Sequence, residues 1–204
     1  MTDFLYLASQ SPRRRQLLEQ LGVAYELLLA NAPGDVSEDA EAIEVALPGE
    51  LPEMYVERVT GLKLDAAVAR LARRGLPAAP VLCSDTTVAL GDTIYGKPDD
   101  AAHAVRLLTG LSGQQHRVLT AVALQVGARR HVALSVSHVT FAPMSAAQID
   151  SYVATGEPMG KAGAYGIQGR AAAYVKQMTG SYSGIMGLPL FETAQLLRAA
   201  NLQF

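Results

Sequence analysis

Two long apolar runs on either side of a short polar segment place the strongest constraint on the fold of this chain. Residues 117–126 and 131–141 are rich in Val, Leu, Ala and Thr, and Gly127-Ala128-Arg129-Arg130 separates them. Apolar, β-branched runs that flank a glycine-containing turn are typical of two paired antiparallel strands. The sequence therefore predicts a β-hairpin over residues 117–141.

Strand patterns and helix patterns alternate along the rest of the chain. Short apolar runs predict strands over residues 4–8, 81–90, 93–95 and 172–178. Apolar residues at helical spacing, with capping residues near the ends, predict helices over residues 12–21, 52–74, 99–108, 145–155 and 189–200. Residues 30–53 are rich in Glu, Asp, Gly and Pro and predict a long acidic loop. This alternation, together with the hairpin, predicts an α/β protein with a mixed β-sheet.

The length and composition exclude several classes of protein. A chain of 204 residues, half of them hydrophobic, is long enough to bury a core and is expected to form one domain over residues 1–204. Its net charge of -2 gives no broad positive field for a nucleic acid polymer, and no apolar run has the length that a membrane span requires. The N-terminus lacks the pattern of a secretory signal, and the single cysteine, Cys83, agrees with a reducing compartment, so we expect a cytoplasmic protein. No HExxH or CxxC motif occurs, which disfavours a zinc site.

Three consecutive arginines stand at the start of the first predicted helix. Ser11 and Pro12 suit the N-cap and the first position of this helix, and Arg13, Arg14 and Arg15 follow them. Cations are unfavourable near a helix N-terminus, which already carries a partial positive charge, so a bound anion would offset them. A strand-to-helix turn with free N–H groups, serines and guanidinium groups suits phosphate oxygens. The alternative is a solvated helix face, because three consecutive side chains point in different directions.

One acidic residue interrupts the most apolar of the predicted strands. Asp85 lies in the middle of residues 81–90, where an unpaired buried carboxylate is unfavourable. Ligands of open α/β sheets gather at the ends of strands, and an aspartate there can hold Mg²⁺ or orient an attacking water. The alternative is a structural aspartate that bonds a neighbouring loop.

Two lysines and a glycine-rich segment are further candidates for ligand binding. Lys97 follows the strand that carries Asp85 and is placed to reach a phosphate, whereas Lys63 lies on a predicted helix; each alone is more often a surface residue. Residues 160–169 match neither the GxGxxG nor the P-loop pattern, but their glycines permit close backbone approach to a ligand. Gln168 has the donors and acceptors to read the edge of a base. A tightly turned loop is the alternative for this segment.

Short blocks spread over nearly the whole chain occur in an order typical of one protein family. The blocks are Leu7-Ala8-Ser9-Gln10-Ser11-Pro12-Arg13-Arg14, Ser84-Asp85-Thr86-Thr87, Gly96-Lys97-Pro98, Leu111-Ser112-Gly113, residues 116–120, residues 161–169 and Gly187-Leu188-Pro189. This combination resembles the Maf family of nucleoside triphosphate pyrophosphatases. The resemblance implies an elongated mixed sheet flanked by helices, in two lobes around a central cleft, and often a homodimer.

The resemblance also implies an activity and the residues that perform it. Members of the family hydrolyse a nucleoside triphosphate between the α and β phosphates, giving the monophosphate and pyrophosphate, with a divalent cation such as Mg²⁺ or Mn²⁺. The aspartate that matches Asp85 is described as the proton acceptor for the attacking water. The residues that match the family's triphosphate site are Ser9, Arg13, Arg14, Lys63 and Lys97.

Three positions resemble one branch of the family. The branch that acts on dTTP and UTP carries the residues that match Arg13, Thr86 and Gln168. A sibling branch that acts on 7-methyl-GTP has a bulky residue in place of Arg13, SDQ in place of residues 84–86 and SEG in place of residues 167–169. The resemblance therefore implies hydrolysis of dTTP and UTP, or of modified pyrimidine nucleotides, as a housecleaning activity.

One family position does not match the chain. The glutamate that the family places downstream of Arg14 would fall at Gly34, because the acidic loop is longer here. Counting back from the helix that carries Lys63 indicates Glu44 instead, with Glu41 as the alternative. Glu44 and Asp85 are thus the candidate metal ligands.

A non-catalytic nucleotide-binding regulator of cell division or septum formation is the alternative function. Such a protein would hold a phosphate with the arginine-containing turn. Binding alone does not need a carboxylate beside a polyanion, which the carboxylate repels unless a metal bridges them. Asp85 therefore favours catalysis.

Overall fold

A computed structural model describes residues 4–32, 35–202 and 204, and all of their side chains except those of Ala40 and Glu41. The strands are β1 (Leu5–Leu7), β2 (Tyr25–Leu27), β3 (Val81–Leu90), β4 (Thr93–Tyr95), β5 (Gln115–Val126), β6 (Arg129–Phe141) and β7 (Val175–Thr179). The helices are α1 (Pro12–Gln20), α2 (Ala40–Ile43), α3 (Pro52–Arg73), α4 (Ala101–Leu111), α5 (Ala146–Val153), α6 (Tyr182–Met186) and α7 (Leu190–Ala199). In the described part of the chain, none of the helices combines the length and the apolar character that a membrane crossing requires.

The strands form one mixed seven-stranded sheet. Its order is β2-β1-β3-β5-β6-β7, and β4 pairs with β3 on the edge that β1 also uses. The first strand runs parallel to β2 and β3, whereas the other pairs are antiparallel. The predicted hairpin is the β5–β6 pair, in which Val126 pairs with Arg129 across the turn Gly127-Ala128. The predictions of a mixed α/β fold and of a hairpin are confirmed.

Helices cover both faces of the sheet. Alternate side chains of a strand point to opposite faces, so Leu82 and Val88 lie on one face of β3, and Cys83 and Ala89 lie on the other. Leu82 and Val88 belong to the core cluster that contains side chains of α1, α4, α5 and α7. Cys83 and Ala89 belong to the clusters that pack against α3. Side chains of residues 84–87 therefore alternate between the face covered by α1 and the face covered by α3.

The sheet has an opening beside the middle of β3. The first strand pairs with β3 only at Val81 and Leu82, and β4 pairs only at residues 88–90. Between them, residues 83–87 have no strand partner on this edge among the described residues. At the start of this opening, the carbonyl oxygen of Leu82 accepts a hydrogen bond from the Ala8 N–H. Backbone N–H and C=O groups of a strand point to the same edge at every second residue, so those of Ser84 and Thr86 face the opening.

The structure corrects several boundaries. The strand predicted over residues 172–178 begins at Val175, because Arg170–Tyr174 form a 3₁₀ turn. Ala172 and Ala173 of this turn are exposed and supply no β-branched side chain. The acidic loop contains the short helix α2. The sequence did not predict β2 and α6, because elements of three and five residues are too short to show a repeating pattern of apolar residues.

The contact of the 3₁₀ turn Ala162–Ala164 with β3 gives a stability prediction. Gly163 has a φ of +68°, and a Cβ atom built there would lie 3.0 Å from the side chain of Val88. We expect Gly163→Ala to lower the free energy of unfolding by about 2 kcal/mol or more, from the unfavourable φ and from overpacking. Urea unfolding measures the change.

Gly127→Ala is the matched control for this prediction. Gly127 has a φ of +55° but open space around its Cβ position, so it isolates the backbone effect. Its loss should be about 1 kcal/mol. Equal losses for the two variants would show that the contact with Val88 is not tight.

Candidate active site

A cavity of about 480 Å³ lies at the opening of the sheet. It is lined by the loop after β1, the start of α1, the acidic loop, α3, β3, residues 160–167 and the end of α6. The predicted site residues that line it are Ser9, Arg13, Arg14, Glu44, Lys63, Asp85, Thr86 and Lys97. The fold therefore brings together residues that are far apart in the sequence.

Four charged side chains form a continuous series on the α3 side of the cavity. The ammonium of Lys63 donates to Asp85 Oδ1 and to Glu44 Oε1, at 2.6 Å each. The ammonium of Lys97 donates to Glu44 Oε2 at 2.5 Å. We call Asp85, Lys63, Glu44 and Lys97 the charge chain, because opposite charges alternate along it. Asp85 reaches Lys63 because its position on β3 has the same parity as Cys83, which faces α3.

The charge chain shifts the pKa values of its members. Burial raises the pKa of Glu44, but the positive charges of Lys63 and Lys97 outweigh burial, so the pKa lies below its ordinary value. Burial lowers the pKa of Lys63, but the carboxylates of Asp85 and Glu44 outweigh it in turn, and the pKa lies above its ordinary value. Both groups are therefore charged at neutral pH. Burial, followed by the charges of Asp85 and Glu44, raises the pKa of the neighbouring Tyr55 to about 12.

The α1 side of the cavity carries guanidinium groups. Arg14 Nε donates to the carbonyl oxygen of Gly187 at 2.7 Å, and Arg13 Nε donates to that of Met186 at 3.3 Å. Ser11 caps α1 through a hydrogen bond from the Arg14 N–H to its hydroxyl. The prediction of a capped helix start with arginines is confirmed. Free N–H groups at a helix start, together with guanidinium groups, suit an anionic ligand.

Two polar residues of β3 connect this arginine cluster to α6. The Ser84 hydroxyl contacts the carbonyl oxygens of Ala121 and Gly187 at 2.9 Å each. The Thr86 hydroxyl accepts from Arg14 Nη2 at 3.3 Å and lies 3.0 Å from the hydroxyl of Thr120. The arginine is thus positioned by backbone and hydroxyl oxygens. The sequence did not predict that the carbonyl oxygens of Met186 and Gly187 bind these arginines. The block Gly187-Leu188-Pro189 was the one sequence feature that pointed to this segment.

The structure does not bring every predicted residue to the cavity. Gln168 is exposed and is absent from the cavity lining, and its amide nitrogen lies 3.4 Å from the Cβ position of Gly166. Its predicted role in base selection stays a prediction. The alternative glutamate, Glu41, has a side chain outside the described residues, and Gly34 lies outside them as well.

Comparisons with known proteins place this chain in a family. The family model described as "Maf-like protein" matches residues 4–200. The chain belongs to the Maf family. It is 65% identical over 204 residues to the dTTP/UTP pyrophosphatase of Cupriavidus metallidurans, covering 100% of both chains. It is 68% identical over 201 residues to the dTTP/UTP pyrophosphatase of Polaromonas sp., covering 98% of both chains. Among solved structures, the Ham1 protein of Staphylococcus aureus aligns with a TM-score of 0.43 at 13% identity, over 67% of this chain and 71% of that chain.

The acidic loop of this Maf chain is held against α3 by arginines. Arg70, which is 5% exposed, donates to the carboxylate of Glu38 and to a backbone carbonyl group of the segment after β2. Arg74 Nη2 donates to Asp35 Oδ2 at 2.6 Å. These contacts fix the loop before α2, and Arg58 of α3 fixes it after α2 by donating to the carbonyl oxygen of Val45 and to the carboxylate of Glu50. They explain how Glu44, at the end of the loop's described helix, reaches two lysines from other elements.

The carboxylates of the charge chain fit a hard divalent cation. Within the described residues, no three His, Cys, Asp or Glu side chains converge into a metal-binding group. Asp85 and Glu44 nevertheless approach the same ammonium at 2.6 Å, so their oxygens converge on one position in the cavity. Two carboxylates completed by waters and substrate phosphates are a usual environment for Mg²⁺.

Lys63→Met tests the electrostatic account of the charge chain. The lowered pKa of Glu44 contributes stability that is present above its ordinary value of 4.5 and is lost as the pH falls through the lower folded-state value. Without the ammonium, burial is opposed by Lys97 alone, so the pKa of Glu44 rises. We expect the variant to lose about 1 to 3 kcal/mol of unfolding free energy at neutral pH and to destabilise further at a higher pH than the wild type.

Urea unfolding at a series of acidic pH values, with a ¹³C NMR titration of the glutamate carboxyl groups, measures both effects. Lys176→Met is the matched control, because Lys176 is exposed on β7. If the free energy of unfolding of Lys63→Met falls over the same acidic pH range as that of the wild type, Lys63 does not hold Glu44 in its charged form.

Proposed function

We propose that this protein hydrolyses dTTP and UTP to the nucleoside monophosphate and pyrophosphate, as a housecleaning nucleoside triphosphate pyrophosphatase. The observation that carries the proposal is the cavity, in which Asp85 and Glu44 lie among the cationic groups that a triphosphate requires. Curated relatives that match the whole chain at 65% identity bear the name dTTP/UTP pyrophosphatase. The protein is thus a hydrolase that acts on the acid anhydride bonds of a nucleotide.

Five residues of the cavity bind the phosphates of the substrate. A triphosphate carries several negative charges, so catalysis depends on groups that offset the charge as pyrophosphate leaves. Arg14 and Ser9, with Arg13, bind phosphate oxygens at the start of α1, and Lys63 and Lys97 bind them from the charge chain. Each of these side chains lines the cavity. Their positions are held by the hydrogen bonds that already join them to the protein.

Asp85 acts on the nucleophile. It orients a water molecule toward the α-phosphorus and accepts one proton from it, while the water oxygen forms the new P–O bond. The bond between the α-phosphorus and the bridging oxygen breaks, and its electron pair stays on the pyrophosphate. Lys63 keeps the carboxylate in place through its 2.6 Å hydrogen bond to Oδ1.

A divalent cation, Mg²⁺ or Mn²⁺, fits the carboxylates of Asp85 and Glu44. When bound, it supplies positive charge that offsets the phosphates and makes a bound water more acidic.

Three residues are proposed to select the pyrimidine base. Thr86 and Arg13 line the cavity, and Thr86 is fixed by Arg14. Gln168 lies on the glycine-rich segment, whose neighbouring residues Tyr165 and Ile167 also line the cavity. A polar site that pairs with one base leaves buried groups unpaired with another, which gives the selectivity its physical basis.

Further properties follow from the sequence and the family. One Maf domain over residues 1–204, a cytoplasmic location and a homodimer are part of the proposal. The partner is the nucleoside triphosphate, and neither a nucleic acid polymer nor a membrane is proposed. The names of the full-length relatives favour this enzyme over a non-catalytic regulator of cell division.

Pyrophosphate release from a panel of nucleotides tests the proposed reaction. The panel contains dTTP, UTP, CTP, GTP, ATP and 7-methyl-GTP, with and without Mg²⁺ or Mn²⁺. We expect metal-dependent release mainly from dTTP and UTP. No release from any nucleotide would favour the non-catalytic regulator, and release mainly from 7-methyl-GTP would favour the sibling branch.

Asp85→Asn tests the role of the proton acceptor. The amide is similar in shape to the carboxylate but is not a useful base, so turnover should fall by about 10²-fold or more. Nucleotide binding, measured by calorimetry, should remain, since the arginine side of the cavity is unchanged. Wild-type turnover in this variant would exclude Asp85 as the base.

Gln168→Ala tests base selection. If its amide pairs with the base, the ratio of kcat/KM for UTP to that for CTP should fall about tenfold, because one base-reading contact is lost. An equal loss on every nucleotide would show that Gln168 does not read the base.

A further inference from the structure

The cations that line the cavity differ in how their charges are paired. The two lysines of the charge chain contact carboxylates. Arg13, Arg14 and Lys161 also line the cavity, but their side chains donate to carbonyl or hydroxyl oxygens. Within the described residues, none of these three forms an ion pair. We call them the unpaired cations.

Lys161 precedes the 3₁₀ turn Ala162–Ala164 and is half-buried. Its ammonium donates to the backbone carbonyl oxygen of Glu157. The carboxylate of Glu157 is engaged elsewhere, since Oε1 accepts from the Tyr152 hydroxyl at 2.9 Å and Oε2 accepts from the Arg170 N–H at 3.0 Å. The nearby acidic side chain therefore does not neutralise Lys161 by direct contact.

The surroundings of Lys161 hold its charge in an unfavourable position. Burial lowers the pKa of Lys161, and the positive charge of Arg13 lowers it further, against a smaller opposite effect of Glu157. The aliphatic part of the Lys161 side chain packs closely on Gly166. A Cβ atom built at Gly166 would lie only 3.2 Å from Lys161 Cε. A bound anion near both cations would relieve their repulsion.

We infer that Lys161 is a further cation of the triphosphate site and binds phosphate oxygens of the substrate beside Arg13 and Arg14. This inference rests on the proposed function. Thymine and uracil are uncharged, so the triphosphate is the part of the substrate that can balance three unpaired cations. A lysine ammonium also binds phosphate as a compact point charge and needs no planar partner.

The inferred role has a consequence for catalysis. Negative charge builds up on the pyrophosphate as the bond to the α-phosphorus breaks. A cation that contacts the departing phosphates stabilises this charge more than it stabilises the bound substrate. Loss of Lys161 should therefore lower kcat as well as raise KM.

The binding of inorganic tripolyphosphate tests the inference without turnover. Isothermal calorimetry compares the wild type with Lys161→Met, which keeps most of the stem but removes the charge, and with Lys161→Arg, which restores a cation. The exposed Lys176→Met is the matched control. Thermal unfolding and the UTP-to-CTP selectivity are measured on each variant.

We expect Lys161→Met to bind tripolyphosphate about tenfold more weakly than the wild type, with a shallower dependence on salt. Lys161→Arg should recover most of the affinity, and Lys176→Met should behave as the wild type. The midpoint of thermal unfolding and the UTP-to-CTP selectivity should not change in Lys161→Met.

Three results would overturn the inference. Wild-type affinity for tripolyphosphate in Lys161→Met would show that no phosphate contact exists. A changed UTP-to-CTP selectivity with unchanged tripolyphosphate binding would assign Lys161 to the base. Weaker binding that accompanies a large fall in the unfolding midpoint, and that Lys161→Arg does not repair, would assign it a structural role.

The same design separates this inference from the proposed function. Tripolyphosphate binding needs no hydrolysis, so it reports on Lys161 even if the wild type releases no pyrophosphate. Conversely, a wild type that hydrolyses dTTP and UTP, with a Lys161→Met variant that binds tripolyphosphate normally, would retain the proposed function and exclude a phosphate contact of Lys161.

Discussion

Among the described residues, β3 has no strand partner on one of its edges over residues 83–87, and the site depends on this opening. The first strand ends before this stretch and β4 begins after it, so the sheet opens beside its central strand. Because side chains alternate along a strand, Asp85 faces α3, whereas Thr86 contacts Arg14 on the side of α1. One short stretch thus supplies groups to two walls of the same cavity.

The α3 wall and the α1 wall of the cavity differ in how their charges are paired. Buried carboxylates are unfavourable alone, and the charge chain stabilises them by alternating them with two lysines. On the α1 side, Arg14 is held by a carbonyl and two hydroxyl groups, which fix its direction without cancelling its charge. In the proposed function, the first wall holds the base and the metal ion, and the second wall binds the phosphates of the substrate.

Much of this arrangement was accessible from local patterns. The helix cap at Ser11 and Pro12 follows from their intrinsic preferences, and the hairpin follows from two runs of strand-forming residues. Asp85 was identifiable because an acidic residue in an apolar strand needs a partner. Glu44 follows only from the resemblance to the Maf family, through its distance from the helix that carries Lys63, and the structure places it in contact with Lys63 and Lys97. The carbonyl groups at the end of α6 were not accessible, because a backbone contact does not depend on residue type.

The sequence by itself determined the local elements, the set of charged groups and the family of this protein. Only the tertiary structure decided which charges are paired. Lys63 and Lys161 carry the same charge, yet one lies between two carboxylates and the other donates to a carbonyl oxygen. The physical reason is that Coulomb interactions act over a few ångströms in space, and those distances are set by how β3, α3 and the loops pack together.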